Sequence, residues 1–221
     1  MRNNIKLLII VLAVLFPALT VPAWGRSEYW KQRVSLFEKI PIASSDIVFL
    51  GNSITDGGEF SELFKNEDIK NRGISSDVIS GVRERVGQVT SGNPRKIFLL
   101  IGINDISHNL SAEAIAKQYD ELVQDIRTQS PESQLYIQSI MPINNDFGRY
   151  KNLKGKSRII VEVNERLQQI AAERGATFID LTPALSDSEG KLRKEFTNDG
   201  LHLLGKGYQA WANFIREYVN E

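Results

Sequence analysis

The stretch Ile47-Val48-Phe49-Leu50-Gly51-Asn52-Ser53 decides how the rest of the chain is read. Its apolar residues are consecutive rather than alternating with polar ones. That pattern suits a strand covered on both faces, as in a parallel sheet. A glycine ends the run, and a hydroxyl follows two residues later. The same form recurs at Ile97-Phe98-Leu99-Leu100-Ile101 before Gly102, at Leu135-Tyr136-Ile137 running toward Ile140, and at Thr177-Phe178-Ile179 running toward Leu181. Residues 69–74 supply a further, weaker strand.

Between these runs the apolar spacing is helical. Val78, Val82, Val86 and Val89 mark one face. Ile115, Tyr119, Leu122 and Ile126 mark a second, with Ser111 as its cap and Pro131 beyond its end. Ile160, Val163, Leu167 and Ile170 mark a third. Tyr208, Trp211, Phe214 or Ile215, and Tyr218 mark the last. Strand and helix alternate, which predicts an α/β protein with an open, doubly wound sheet. Sites in such sheets form beyond the carboxyl ends of the strands. That puts Ser53, Gly73, Asn104 and residues 141–145 on one rim.

Composition narrows the function. The 221 residues suit one domain, and 42% hydrophobic with 24% charged residues is ordinary for a globular protein. Lys+Arg and Asp+Glu are equal at 27 each, so no excess of positive charge favours nucleic acid as a partner. There is no Cys, which excludes disulfides, thiolate metal sites and a cysteine nucleophile.

Residues 1–25 read differently. Arg2 and Lys6 precede an uncharged run over 7–25, with its apolar centre at 7–16 and with Pro17 and Pro22 after it. Ala23 and Gly25 place small residues at the −3 and −1 positions of a cut before Arg26. This is the pattern of an export signal. An uncleaved anchor is the alternative, but prolines interrupt a run that is barely long enough to span a bilayer. The expectation is an exported protein, periplasmic or secreted, without a membrane anchor after cleavage, whose domain spans residues 26–221.

Few side chains remain for chemistry. A hydroxyl nucleophile usually needs a base, and His is the commonest one. The two histidines are His108 and His202. Asp199 lies three residues before His202, close enough in a turn to fix the imidazole tautomer. The same spacing also occurs in plain surface turns. His108 follows Asn104 and Asp105 in a polar segment with no evident orienting partner and reads as a loop residue. Ser53 could expose its Oγ at the strand-to-helix turn, or simply cap the next helix. Thr55 stands where Gly-x-Ser-x-Gly would need glycine, which argues against an α/β-hydrolase elbow. Gly73 could offer a closely approachable N–H and Asn104 a neutral amide donor, though both residues are also ordinary turn formers.

Four ordered blocks make a specific resemblance. They are Val48-Phe49-Leu50-Gly51-Asn52-Ser53-Ile54-Thr55, Asn71-Arg72-Gly73-Ile74-Ser75, Ile101-Gly102-Ile103-Asn104-Asp105, and Asp199-Gly200-Leu201-His202. The chain, over about residues 46–218, resembles the SGNH or GDSL-type hydrolase superfamily. Asn52 and Ile54 depart from the name-giving Gly-Asp-Ser-Leu motif at positions without a catalytic role. The block at Asn71 and the Gly207-Tyr208-x-x-Trp211 tail look most like the branch related to platelet-activating-factor acetylhydrolase.

The resemblance implies a three-layer α/β/α, flavodoxin-like parallel sheet and ester hydrolysis without metal or cofactor. It implies Ser53 as nucleophile, His202 as base and Asp199 as its orienting acid. The oxyanion hole would comprise the N–H groups of Ser53 and Gly73 and the Asn104 side chain. Many exported bacterial members of that branch deacetylate carbohydrates, so a short acyl ester of a sugar is the leading expectation. A lysophospholipase or thioesterase with a longer acyl pocket is the alternative. A noncatalytic glycan-binding module is a third reading, which loss of a triad member would favour. Specificity lives in loops. The loop expected to set it covers residues 141–156, where Phe147 and Tyr150 either contact substrate or merely pack.

Overall fold

The computed structural model describes residues 26–221. The expected export segment, residues 1–25, lies outside them. In chain order the elements are α1 (Glu28–Phe37), β1 (Ile47–Gly51), α2 (Ser53–Asp56), α3 (Phe60–Phe64), β2 (Ile69–Gly73), α4 (Ile79–Arg85), α5 (Gly87–Thr90), β3 (Lys96–Leu100), α6 (Ile103–Ser107), α7 (Ala112–Gln129), β4 (Gln134–Gln138), α8 (Ser157–Glu173), β5 (Thr177–Ile179), α9 (Thr182–Leu185) and α10 (Gly205–Asn220). The strands form one parallel sheet in the order β2-β1-β3-β4-β5. This is the flavodoxin-like winding, and its strand order reverses between β1 and β3.

The continuous apolar runs are central strands because both faces are covered. Every residue of β1 and β3 is buried. Successive side chains alternate between faces. Parallel register therefore lines up Phe49, Phe98 and Tyr136 across three strands, with ring centroids 4.9 and 4.5 Å apart. Trp211, from α10, meets this ladder at Phe49 in a T-shaped contact, and its indole N–H donates to Gln138 at 2.7 Å. Helix α10 packs on α3 and α9, whereas α7 packs between α4 and α8. Lys96 is buried at the start of β3. Its ammonium donates to the carbonyls of Tyr218 and Val219 and so satisfies groups that the end of α10 leaves without helical partners.

Two helical features differ from the expectation. The stripe Val78–Val82–Val86–Val89 is fully buried, but its helix breaks into α4 and α5 at Val86. Gly81 and Gly87 weaken the helix on either side of the break. Helix α1 is a further element, outside the four helical stripes of the sequence. Ser27 caps it by accepting from the Trp30 N–H, and Trp30 and Phe37 form a small second core with Ile74. At the other end of the chain, Ile215 rather than Phe214 faces the core. Among the described residues no helix is long and apolar enough to cross a membrane.

Candidate active site

Ser53 is the first residue of α2, directly past the end of β1. The fully buried Asn52 caps that helix, its Oδ1 accepting from the Ile54 N–H at 3.1 Å. With the cap supplied by Asn52, the Ser53 hydroxyl is free for another partner. Its Oγ lies 2.9 Å from His202 Nε2. As the first helical residue, Ser53 also has no helical carbonyl for its own N–H.

His202 is presented by a tight turn. Asp199 Oδ1 accepts from the backbone N–H groups of Leu201 and His202 at 2.9 and 2.8 Å. Its Oδ2 lies 2.8 Å from His202 Nδ1. Burial works to raise the Asp199 carboxyl, but the imidazole and those two N–H groups outweigh it and hold it at about 2. Asp199 is therefore an acceptor only, and His202 Nδ1 must carry the proton between them. Gly200 makes the turn possible. It has φ +88°, and a Cβ there would meet the Asn144 carbonyl oxygen at 2.1 Å.

The rim opposite the imidazole differs from the expected donor set. The Gly73 N–H donates to Asn71 Oδ1 at 2.7 Å, and Gly73 is buried away from the cleft. Its lack of a side chain serves packing, because a Cβ would sit 2.1 Å from the Asp56 nitrogen. Three residues on, Ser76 lines the cleft in a left-handed conformation at φ +66°. Such a backbone costs about 1–3 kcal/mol without glycine and persists only where neighbours impose it. Here Asp56 grips Ser75 through both its N–H and its hydroxyl, at 3.2 and 2.7 Å. Beyond Ser76, the Asp77 N–H returns to the Ile74 carbonyl. Among the described residues no hydrogen bond occupies the Ser76 N–H.

Asn104, in α6, also lines this cleft, and one of its amide hydrogens goes to the Asp77 carbonyl at 2.8 Å. An amide has two, so one remains for a ligand. Asp77 is itself anchored below the rim. Its buried carboxylate takes the Arg85 guanidinium at 2.8 Å and the Trp30 indole N–H at 3.2 Å. Arg85 reaches the Gly51 carbonyl as well, tying the end of β1 to the same network. Asp105 is buried beside it and accepts from the Ile79 N–H at the start of α4. Burial pushes its carboxyl up to about 7.

The cleft has a volume of about 530 Å³, and Ser53, His202, Asn104 and Ser76 share it. His108 is not among its lining residues. It caps the end of α6, where burial and then the neighbouring Lys156 push its pKa down. Tyr150 does line the cleft. Its hydroxyl lies 3.0 Å from both Asp199 Oδ2 and His202 Nδ1. Partial burial and the Asp199 hydrogen bond push its pKa up to about 12, so it stays a donor, and the carboxylate is the acceptor it finds. A second cavity of about 330 Å³, with Ile143, Leu153 and Leu201 in its wall, adjoins the cleft behind Tyr150. Asn144 fastens this loop down. Its N–H donates to the Gly200 carbonyl at 2.8 Å, and its side chain donates to the Leu192 carbonyl at 2.9 Å. Among the described residues no group of three His, Cys, Asp or Glu side chains is placed to hold a metal ion.

Comparison with known proteins identifies the family. Residues 49–210 match the profile of the GDSL-like Lipase/Acylhydrolase family. The N-acylneuraminate cytidylyltransferase of Escherichia coli O18:K1:H7 is 30% identical over 180 residues, which are 79% of this chain but only 40% of that protein. Platelet-activating factor acetylhydrolase IB subunit alpha2 of Rattus norvegicus is 25% identical over 79% of this chain and 76% of its own. The solved structure of a Streptococcus pneumonia protein named for platelet activating factor superposes with a TM-score of 0.79 at 27% identity. That superposition covers 86% of this chain and 92% of the other. With the family profile spanning the strand ends, the cleft and the C-terminal turn, the chain belongs to the GDSL-like lipase/acylhydrolase family, whose members hydrolyse esters.

Proposed function

We propose that this chain is an exported serine esterase that removes short acyl groups, acetyl first, from carbohydrates through an acyl-enzyme. The observation that carries the reading is the chain of contacts from Ser53 Oγ to His202 Nε2 at 2.9 Å and from His202 Nδ1 to Asp199 Oδ2 at 2.8 Å. In this reading Nε2 takes the Ser53 proton as Oγ attacks the ester carbonyl. Asp199 holds the tautomer and stabilises the imidazolium. The developing oxyanion is met by the Ser53 N–H, the Ser76 N–H and the free Asn104 amide hydrogen. Ser76 replaces Gly73 in this set because the Gly73 N–H is already spent on Asn71. His202 then protonates the leaving alcohol, and water repeats the sequence to release the acid.

The polar cleft wall at Ser75, Ser76, Ser107 and Asn152 supports a polyol as the alcohol. The cavity behind Tyr150, with Ile143, Leu153 and Leu201 as the apolar part of its wall, favours the second reading, a longer acyl chain, if that side chain swings aside. Chromogenic esters from acetyl to long-chain distinguish the two. Acetyl ester should give the highest kcat/KM, and purified enzyme should release acetate from acetylated glycans. A maximum at long chains would establish the lipase-like alternative. In the same assay Asn104→Ala should lose about 10²–10³ in kcat with KM little changed, because the charge it meets exists only near the transition state. A change confined to KM would make Asn104 a ground-state binding residue.

Export rests on the charged start, apolar run and small residues before Arg26. N-terminal sequencing of material recovered outside the cytoplasm should begin at or within a few residues of Arg26. Retained Met1 on membrane-bound protein would overturn it.

A further inference from the structure

The neutral balance of the whole chain hides a local excess. Residues 149–158, Arg-Tyr-Lys-Asn-Leu-Lys-Gly-Lys-Ser-Arg, carry five cations and no carboxylate. Two of these cations, Arg149 and Lys151, flank Tyr150 and line the cleft that holds Ser53 and His202. No carboxylate lines that cleft among the described residues. Neither cation has an ion-pair partner there. The nearby acids are engaged elsewhere. Asp146 is held by Lys191 at 3.0 Å, Asp56 holds Ser75 and Tyr29, and Asp199 holds His202. By contrast Lys156, on the same segment, is committed to the Ile106 carbonyl and Asn109. Arg149 and Lys151 thus stand exposed and without an ion pair among the described residues, within one residue of the side chain that touches the proposed base; Asp199 shares only the adjoining cavity with them.

We infer that the preferred substrate is an acyl ester whose alcohol carries an anionic group, a carboxylate or a phosphate, held by Arg149 and Lys151. The inference rests on the esterase reading above and narrows it. An acetyl group is neutral, so the negative charge must belong to the alcohol. Arg is suited to a planar carboxylate or a phosphate through paired N–H donors, and Lys adds a point charge. A cleft lined by one sign of charge also concentrates oppositely charged substrate, by about tenfold or more at low salt.

Matched sugars test this with the full enzyme. An acetylated methyl glucuronoside and the corresponding acetylated methyl glucoside differ only in a carboxylate against a hydroxymethyl group. The acetylated glucoside 6-phosphate forms a third arm. The wild type should favour at least one anionic ester over the glucoside by about tenfold in kcat/KM, and added NaCl should erode that preference. The higher of the two anionic arms identifies the charged group. The double variant Arg149→Gln/Lys151→Gln should bring the anionic-to-neutral ratio down to near one, while Lys117→Gln on α7 should leave the ratio as it is. Equal rates on all three sugars in wild type overturn the inference alone. A preference that survives the double variant overturns the assignment to Arg149 and Lys151. No turnover of any ester, chromogenic acetate included, overturns the esterase reading and the inference with it.

Discussion

Ser53→Ala is expected to remove ester turnover while leaving the fold unchanged. On the proposed mechanism no other group can form the acyl-enzyme, and loss of such a nucleophile costs on the order of 10⁶ in kcat. Stability should barely move, and the reason is local. The N-cap of α2 is Asn52, not Ser53, and among the described residues the hydroxyl hydrogen-bonds only to His202 Nε2. Substitutions away from caps and buried networks usually stay within about 0.5 kcal/mol. A melting curve matching wild type, together with activity at background, is therefore the expected pair of results. A serine-directed phosphonate should add once to the wild type, at Ser53, and not to the variant. Labelling at another serine, or near-normal turnover by Ser53→Ala, would refute the assignment.

His202→Ala should be nearly as inactive, because Ser53 then has no proton acceptor within reach. His108→Ala should keep most activity, since His108 caps α6 and lies outside the cleft. Tyr150→Phe should fall between them, with a loss in kcat rather than KM. The variant keeps the ring that walls the cleft and deletes only the hydroxyl shared with Asp199 and His202. Asp199→Asn should be severely impaired, because an amide cannot hold the same imidazole tautomer. All four proteins must melt like wild type before rates are compared. An inactive His108→Ala beside an active His202→Ala would invert the reading of the C-terminal turn.

The buried strands were legible because a sheet covered on both faces leaves no polar alternation, and β1 carries that signature from Ile47 to Leu50 and β3 from Ile97 to Leu100, with only Lys96 at its start breaking it. The helical faces were legible from the opposite sign, a periodic apolar stripe with polar residues between. The break at Val86 was not, since a buried stripe records which side faces inward and not whether the backbone stays continuous. Helix α1 had its spacing in plain view at Trp30, Val34 and Phe37, but its role depends on Asp77, 47 residues away. The proposed exchange of Gly73 for Ser76 shows the limit most clearly. A sequence block marks where the chain passes the rim, but not which N–H is already taken by a neighbouring amide. Tyr150 sits in an irregular loop without periodicity, and its partners are 49 and 52 residues further on.

The clasp that Asn144 makes with Gly200 and Leu192 turns the loop and the histidine turn into one mechanical part. Rewriting residues 145–156 without disturbing the histidine turn therefore requires that the backbone N–H of residue 144 keep its hold on the Gly200 carbonyl. Grafting residues 145–156 from a relative between fixed Asn144 and Gly200 would preserve the hinge pin. Grafting across Asn144 would trade a new preference for a misaligned base. In this architecture selectivity and reactivity are not independent dials, and Asn144 is where they are geared together.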